Sequence, residues 1–346
     1  MLDLLIVGGG PAGLATAIHA ARAGLDVAVA EPRPTPVDKA CGEGLMPGAV
    51  RALADLGIAL PGHPLRGIRY LAAAGDDAAD ARHAEARFRH GPGLGVRRTD
   101  LHAALARRAA ELGVPVHPVK VDAMTVRQDA GSVTAAGLTA RYLAAADGLH
   151  SPVRRHLGLG LPDPRPPRYG LRRHFTVAPW TDHVEVHWSA RAEAYVTPLG
   201  PELLGVAILT AERAPFDVQL AGFPALAARL PAHASSAVRG AGPLRQRVRG
   251  RVAGRVLLVG DAAGYVDALT GEGISLSLAG AAQLVRCVRD GRPLDYEHAW
   301  RRASRRHRLL TDALVRLRAH PRRAHLIVPT AARLPSLFTG LVNGLA

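Results

Sequence analysis

The sequence predicts an α/β fold, with a parallel-sheet domain interrupted by an antiparallel one and followed by C-terminal helices. Three observations predict it. Residues 3–7 are an apolar run that stops at Gly8, as a strand buried on both faces would be. An Ala-rich helical stretch at 14–23, stopped by Gly24, and a second apolar run at 26–30 follow it; a strand-helix-strand unit takes about 30 residues. From residue 163, behind Pro162, Pro164, Pro166 and Pro167, the pattern changes to period two, which marks a domain crossover and a second sheet.

The elements follow in order. Residues 32–36 are a rigid proline loop, and 50–56 a short helix ending at Gly57. Residues 66–90 alternate like polar strands. A helix spans 100–112, with Asp100 near its start and Gly113 after its end. Strands are expected at 114–121, 131–141 and 142–146, the last leading to Asp147-Gly148. In 183–188, Val184, Val186 and Trp188 share one face and His183, Glu185 and His187 the other. Residues 194–199 and 203–209 continue this pattern across a Gly-Pro turn, giving an antiparallel sheet. A buried strand at 255–259 precedes Gly260-Asp261. Helices cover 273–289 and, charged, 296–318. The apolar helical stretch 326–345 is expected to pack on the core, with a dimer contact or lipid as its alternatives. The domains drawn from this pattern are 1–65, 96–162 and 246–310 for the first, 66–95 and 163–245 for the second, and 311–346 for the C-terminal helical segment.

Composition narrows the function. The 346 residues are 48% hydrophobic, enough for a large core and too apolar for a disordered chain. The apolar stretches fall short of the roughly 18 residues of a membrane span. The first seven residues lack a basic n-region and run into a glycine loop, so they read as a strand, and a cytoplasmic location is expected. Cys41 and Cys287 suggest neither a disulfide framework nor a metal site. The charge of +15 is almost all arginine, with lysine only at 39 and 120, and is spread along the chain without a nucleic-acid motif. A nucleic-acid partner is therefore not expected. A basic surface still favours anionic cofactors or an anionic membrane surface.

Gly8-Gly9-Gly10-Pro11-Ala12-Gly13 follows the first strand. Gly8 permits the tight turn, Gly10 lets backbone approach a pyrophosphate, and Gly13 lets the helix pack closely on the strand. The helix N-terminus supplies free N–H groups for phosphate. Glu31 closes the second strand, where an acid bonds a ribose diol. This unit alone serves NAD or FAD.

Gly260-Asp261-Ala262-Ala263, after its own buried strand, separates the two. With residues 3–31 and 143–154, the block 255–280 resembles the flavoprotein monooxygenase and geranylgeranyl reductase superfamily, which shares the para-hydroxybenzoate hydroxylase fold. The resemblance spans most of the chain. It implies a Rossmann-type FAD-binding domain with an inserted antiparallel-sheet substrate domain and C-terminal helices. It also implies FAD, and NADPH or NADH as a transient electron donor.

The resemblance assigns Asp261 to the ribityl chain and Asp147, in 146–154, to the FAD and nicotinamide region. Arg98, or its neighbour Arg97, matches the arginine that contacts the flavin cofactor. Gly271, Gly273 and Ile274 match the helix entry where N–H groups stabilise negative charge on reduced flavin. Glu272 either touches substrate or caps that helix. Lys39-Ala40-Cys41-Gly42-Glu43-Gly44-Leu45 resembles the Cys-Gly-Glu-Gly stretch beside the isoalloxazine in geranylgeranyl reductase-like proteins. Cys41 there contacts flavin or substrate, donates a proton, or is a small residue in a glycine turn. His174, Trp188, Tyr195 and Pro198 are candidate substrate contacts on the sheet expected to roof the flavin.

Two reactions lead. The first is hydroxylation of an aromatic or polyketide-type apolar small molecule, consuming O2 through a C4a-hydroperoxyflavin. The second is reduction of a prenyl or other alkene. A non-catalytic or electron-transfer flavoprotein is the distant third. Cys-Gly-Glu-Gly favours the reductase branch. The short chain favours the hydroxylase, as does Tyr195-Val196-Thr197-Pro198-Leu199, which lacks the Trp and Phe of the prenyl-reductase pattern. The hydroxylase is the first expectation.

Overall fold

The computed structural model describes residues 1–72, 83–320 and 324–345. Strand Leu2–Val7 lies between Val27–Ala30 and Leu138–Ala145, parallel to both, with Leu5 opposite Ala28 and Leu143. Leu4, Leu5 and Ile6 are fully buried, which is why this strand is apolar without alternation. The sheet extends to Val116–His117 on one side and to Val256–Leu258, then Val252–Ala253, on the other. Helix Pro11–Arg22 packs against both Arg98–Glu111 and Gly273–Arg289.

Two strand expectations change. The strand expected at 114–121 shrinks to Val116–His117, because Pro115 and Pro118 carry no N–H for a ladder. The run 131–146 folds into a hairpin, Val133–Ala135 against Leu138–Ala145. Its two turn residues, Ala136 and Gly137, both take positive φ, as a tight two-residue hairpin turn requires.

The second sheet has seven strands in the order Arg239–Ala241, Tyr169–Thr176, Leu203–Thr210, Ala192–Gly200, His183–Trp188, Gly67–Ala72 and His83–Arg87. It is mixed, not purely antiparallel: Gly67–Ala72 runs parallel to His183–Trp188. These two are joined by a crossover through the first domain, so no hairpin imposes their relative direction. Alternation gives the sheet two faces. Val196, Val206 and Ile208 pack with Phe175, Phe216 and Phe223 on one. Tyr195, Thr197, Ala207 and Leu209 face a cavity on the other. Of the expected strands at 66–90, residues 73–82 lie outside the described residues.

Asp295–Arg318 is one unbroken helix, so the boundary drawn at residue 310 falls inside it. Ile327–Arg333 and Pro335–Leu345 pack on strand His83–Arg87, with Phe338 against Tyr70 at 4.7 Å. Core packing therefore accounts for Ile327, Val328, Phe338 and Val342, which are buried; Leu326, Leu334, Leu337 and Leu341 are exposed. No described helix is long and apolar enough to cross a membrane.

Candidate active site

The glycine loop is held from beneath by the chain itself. Gly8 N–H donates to Ala30 O at 2.9 Å, and Gly9 N–H to Glu31 Oε2 at 2.8 Å. Glu31 also binds Arg33, so both carboxylate oxygens are occupied; it is buried behind the loop and is not part of the cavity wall. His102 Nδ1 accepts from Val37 N–H, so its Nε2 carries the proton and donates to Gly9 O at 2.8 Å. A Cβ on Gly13 would collide with the Gly8 carbonyl oxygen; this glycine and Gly8 serve the packing of helix on strand. Gly10 differs. No atom of the chain lies within 4 Å of the place its Cβ would take, yet Gly10, Pro11 and Ala12 line the cavity.

That cavity measures about 1600 Å³ and lies between the two sheets. At its glycine-loop end, helix Pro11–Arg22 starts with no side-chain cap and no acid in its first turn, leaving its N–H groups and positive end free. Lys39 and Arg98 face the same space, and burial lowers the pKa of both. Arg98 Nη1 is buried without a partner. Asp147 Oδ1 is likewise unpartnered, while its Oδ2 accepts from Val153 N–H at 3.0 Å. Burial raises the Asp147 and Asp261 carboxyls above the usual range, against the pull of nearby arginine and, for Asp261, of Lys39. Arg154 joins the two Asp blocks through Asp261 O, Ala262 O and Leu149 O. Gly260 has φ +63°, and its Cβ position is 2.6 Å from Ala12 Cβ, so the turn carrying Asp261 fits only as glycine. An uncapped helix start, with the cations Lys39 and Arg98 and the carboxyls Asp147 and Asp261 on one cavity wall, fits one elongated ligand with a pyrophosphate and a polyol. FAD has both.

The segment 38–44 crosses the middle of the cavity. Cys41, Gly42, Glu43 and Gly44 line it. Glu43 is buried with φ +60°, a conformation that costs energy in a non-glycine residue. Its carboxylate is held from two sides: Oε1 accepts Arg98 N–H at 2.8 Å, and Oε2 lies 2.7 Å from His174 Nε2. Arg172 Nη1 stands 3.1 Å from His174 Nδ1. Arginine only donates, so Nδ1 accepts, and Nε2–H donates to Glu43. Arg172 also pairs with Asp38. The Cys41 Sγ accepts Glu43 N–H at 3.4 Å. Burial, reinforced by the Glu43 charge, pushes the Cys41 thiol up, so it keeps its proton.

The loop 265–274 forms the next wall. Tyr195 donates its hydroxyl to Leu269 O at 2.8 Å, and Thr270 bonds Thr311 at 2.9 Å. Arg168 bridges Glu193 at 2.7 Å and Asp267 at 2.9 Å, with Arg318 on the other oxygen of Glu193. Two guanidinium groups thus balance two carboxylates, as buried charges must be balanced, and the loop is fixed to the sheet and to helix Asp295–Arg318. Gly271, Glu272, Gly273 and Ile274 line the cavity. Burial pushes the Glu272 carboxyl up to about 8. Its Oε2 lies 3.7 Å from His307 Nδ1, and neither atom has a hydrogen-bond partner.

Four expected substrate contacts separate. Tyr195 lines the cavity. His174 stands one residue behind it, reaching it through Glu43. Trp188 is corrected to core: it is buried against Tyr70, ring centroids 5.2 Å apart, and Tyr70 takes the cavity position. Pro198 is corrected as well, since its carbonyl packs on Gly95 and it forms none of the cavity wall. Of the arginine pair, Arg98 is buried in the site and Arg97 is exposed.

Sequence reasoning gave no role of their own to Lys39, Glu43 and Arg154, which lie inside the motifs 39–45 and 146–154, and missed Arg172. A signal existed for two of them. Lys39 is one of only two lysines in an arginine-rich chain. Arg172-Arg173 stand together in a strand, where successive side chains take opposite faces, so one of them must point inward.

The model of the FAD binding domain family matches residues 1–202. The chain is 33% identical over 314 residues to menaquinone reductase of Mycobacterium tuberculosis, covering 80% of this chain and 74% of that protein. It is 31% identical over 388 residues to menaquinone reductase of Mycolicibacterium smegmatis, covering 97% and 89%. A dialkyldecalin synthase of Streptomyces rugosporus is 28% identical over 315 residues, covering 81% and 64%. Among solved structures, a flavin-dependent brominase superposes with a TM-score of 0.81 at 18% identity, covering 99% of this chain and 93% of that one. The Diels-Alderase of the pyrroindomycin pathway superposes with 0.78 at 20% identity, covering 100% and 81%. These two share the fold.

Proposed function

Because the chain belongs to the FAD binding domain family of flavoprotein oxidoreductases, we propose that it is a flavin-dependent reductase that hydrogenates a carbon–carbon double bond in an apolar lipid, a prenylated quinone being the model substrate. The cavity carries this reading. Its volume of about 1600 Å³ exceeds the roughly 300–1,000 Å³ of an ordinary ligand site, which leaves room for a long molecule beside a cofactor. Its far end is walled by leucines of the C-terminal helices, including Leu326, Leu337, Leu341 and Leu345. The mycobacterial menaquinone reductases support the same reading against the hydroxylase expected first.

FAD, when bound, supplies the hydride, and NADPH or NADH replenishes it. The chain does the rest. The N-terminus of Pro11–Arg22, Lys39 and Arg98 hold the anionic part of the cofactor, and Asp147 and Asp261 its hydroxyl-bearing part. Saturating a double bond also takes one proton, and Cys41 holds one on a thiol facing the cavity. The bonds from Arg98 N–H and His174 fix Glu43, whose charge helps keep that proton in place. Apolar walls exclude water that would compete for it.

The test is an anaerobic single turnover of photoreduced holoenzyme with a menaquinone, followed by mass spectrometry of the lipid. After air re-oxidation of any quinol formed at the ring, the expected product is still heavier by two hydrogens. A product formed only with O2 and heavier by one oxygen would overturn the reading in favour of a hydroxylase.

Glu272 adds a pH prediction. Its carboxyl is protonated below about 8; above that it places a negative charge at the N-terminus of Gly273–Arg289, where charge on the reduced cofactor is to be stabilised. Turnover should fall as pH rises through about 8, and Glu272→Gln should remove that limb. Linkage gives the sign for stability. The folded state keeps a proton that the unfolded chain releases near 4.5, so stability declines as pH rises from 4.5 to about 8. In thermal melts of the flavin-free protein, Glu272→Gln should flatten this slope.

A further inference from the structure

We propose that the C-terminal helices and the outer stripe of helix Asp295–Arg318 form a docking surface for an anionic phospholipid bilayer, with the cavity mouth set against it. Its purpose rests on the lipid-reductase reading; the docking itself rests on separate observations. Leu337 and Leu341 follow one stripe of the last helix and Leu334 stands directly before it; Leu334, Leu337 and Leu341 are 48%, 56% and 40% exposed. The same three residues line the cavity, so they form its rim. Leu326, 47% exposed, continues the rim on the preceding segment. A rim of large apolar side chains open to solvent is costly unless something apolar covers it.

Charge identifies what covers it. Arg302, Arg305, Arg306, Leu309 and Arg316 lie within one stripe of Asp295–Arg318 at helical spacing, and all are exposed. The Arg306 guanidinium lies against Gly344 of the last helix, which places this stripe beside the leucine rim. Arg302, Arg305 and Arg306 form no ion pair among the described residues. The acids of their helix are engaged elsewhere: Asp295 with Arg292, Glu297 with Arg251 and Arg301, Asp312 with Arg165, Arg245 and Arg316. No acidic residue follows Asp312 in the chain. Leucines flanked by unpaired arginines on a helical surface suit the headgroup region of an anionic leaflet: arginines reach phosphate while leucines enter the acyl boundary. A long apolar substrate would then pass from bilayer to cavity without crossing water.

The holoprotein should be sedimented with phosphatidylcholine vesicles and with vesicles containing phosphatidylglycerol. Binding is expected only to the latter, weakening as salt is raised. The triple variant R302E/R305E/R306E should lower partitioning at least tenfold with flavin content unchanged. The pair L337Q/L341Q should lower it at least as much. Failure to bind anionic vesicles, or wild-type binding by both variants, overturns the proposal. So does a stable dimer without vesicles that L337Q/L341Q dissociates, since a second copy would then cover the rim. Vesicle binding is read without turnover: a protein that docks yet hydrogenates no lipid retains this surface and loses the reductase reading.

Discussion

Gly10→Ala should strip the protein of FAD while leaving the flavin-free chain nearly as stable as before, and Gly13→Ala should unfold it. The two glycines belong to one motif but answer to different neighbours. A Cβ on Gly13 meets the Gly8 carbonyl oxygen, and beyond it Ala146 Cβ at 3.2 Å. Backbone oxygen cannot step aside as a flexible side chain does, so helix and strand must separate. Overpacking of this kind costs upward of about 3 kcal/mol. Gly10 has extended backbone, φ −72° and ψ −179°, which alanine adopts freely. With no atom within 4 Å, the substitution costs the chain only the poorer helix start, about 1 kcal/mol or less. Its methyl group instead occupies the space through which a pyrophosphate approaches the helix N-terminus. A loss of about 100-fold in FAD affinity, or roughly 2.7 kcal/mol, is expected. Thermal melts of flavin-free protein and an FAD titration separate the two variants. Wild-type FAD affinity in Gly10→Ala would mean that the pyrophosphate does not lie over this loop.

The same contrast shows what a sequence discloses. The first strand-helix-strand unit was legible because its signals are local: an apolar run, three glycines and a helix stop within one short segment. Strand Val116–His117 is shorter than the expected 114–121 for an equally local reason, since Pro115 and Pro118 have no N–H to give to a ladder. The mixed sheet was not legible. Period two in residues 67–72 reports that one face is buried, not that the strand runs parallel to a partner more than a hundred residues away. Residues within glycine-bounded motifs, such as Gly10, Asp147, Asp261 and Gly271, line the cavity, because such motifs fix their own backbone. Trp188 and Pro198 were misplaced because alternation names a face and not a depth: Trp188 shares a face with Val184 and Val186, which line the cavity, but sits at the strand end behind Tyr70. The C-terminal leucines show the same limit, since their spacing is identical for a stripe facing a core and for one rimming a cavity.

Cys41→Ala should lower turnover about 10²–10³-fold, in the range that positioned proton donors contribute, while leaving FAD affinity and reduction by NADPH or NADH close to wild type. Glu43 N–H donates to Sγ, which leaves the S–H proton uncommitted on a side chain that lines the cavity. Burial and the Glu43 carboxylate both oppose thiolate formation, so on the reductase reading the thiol keeps its proton until one carbon of the double bond takes it up and the other receives the hydride. The Glu43 carboxylate cannot replace it, because Arg98 N–H and His174 already occupy its two oxygens. Serine in place of Cys41 keeps a donor of similar size with a higher intrinsic pKa, so Cys41→Ser should fall between wild type and alanine in kcat with little change in KM. This graded order separates proton donation from packing, because alanine and serine both fit a small glycine-flanked turn. Equal kcat in all three proteins would return Cys41 to the role of a small residue in that turn, with the proton arriving from elsewhere in the cavity, Glu272 being the next acid that lines it.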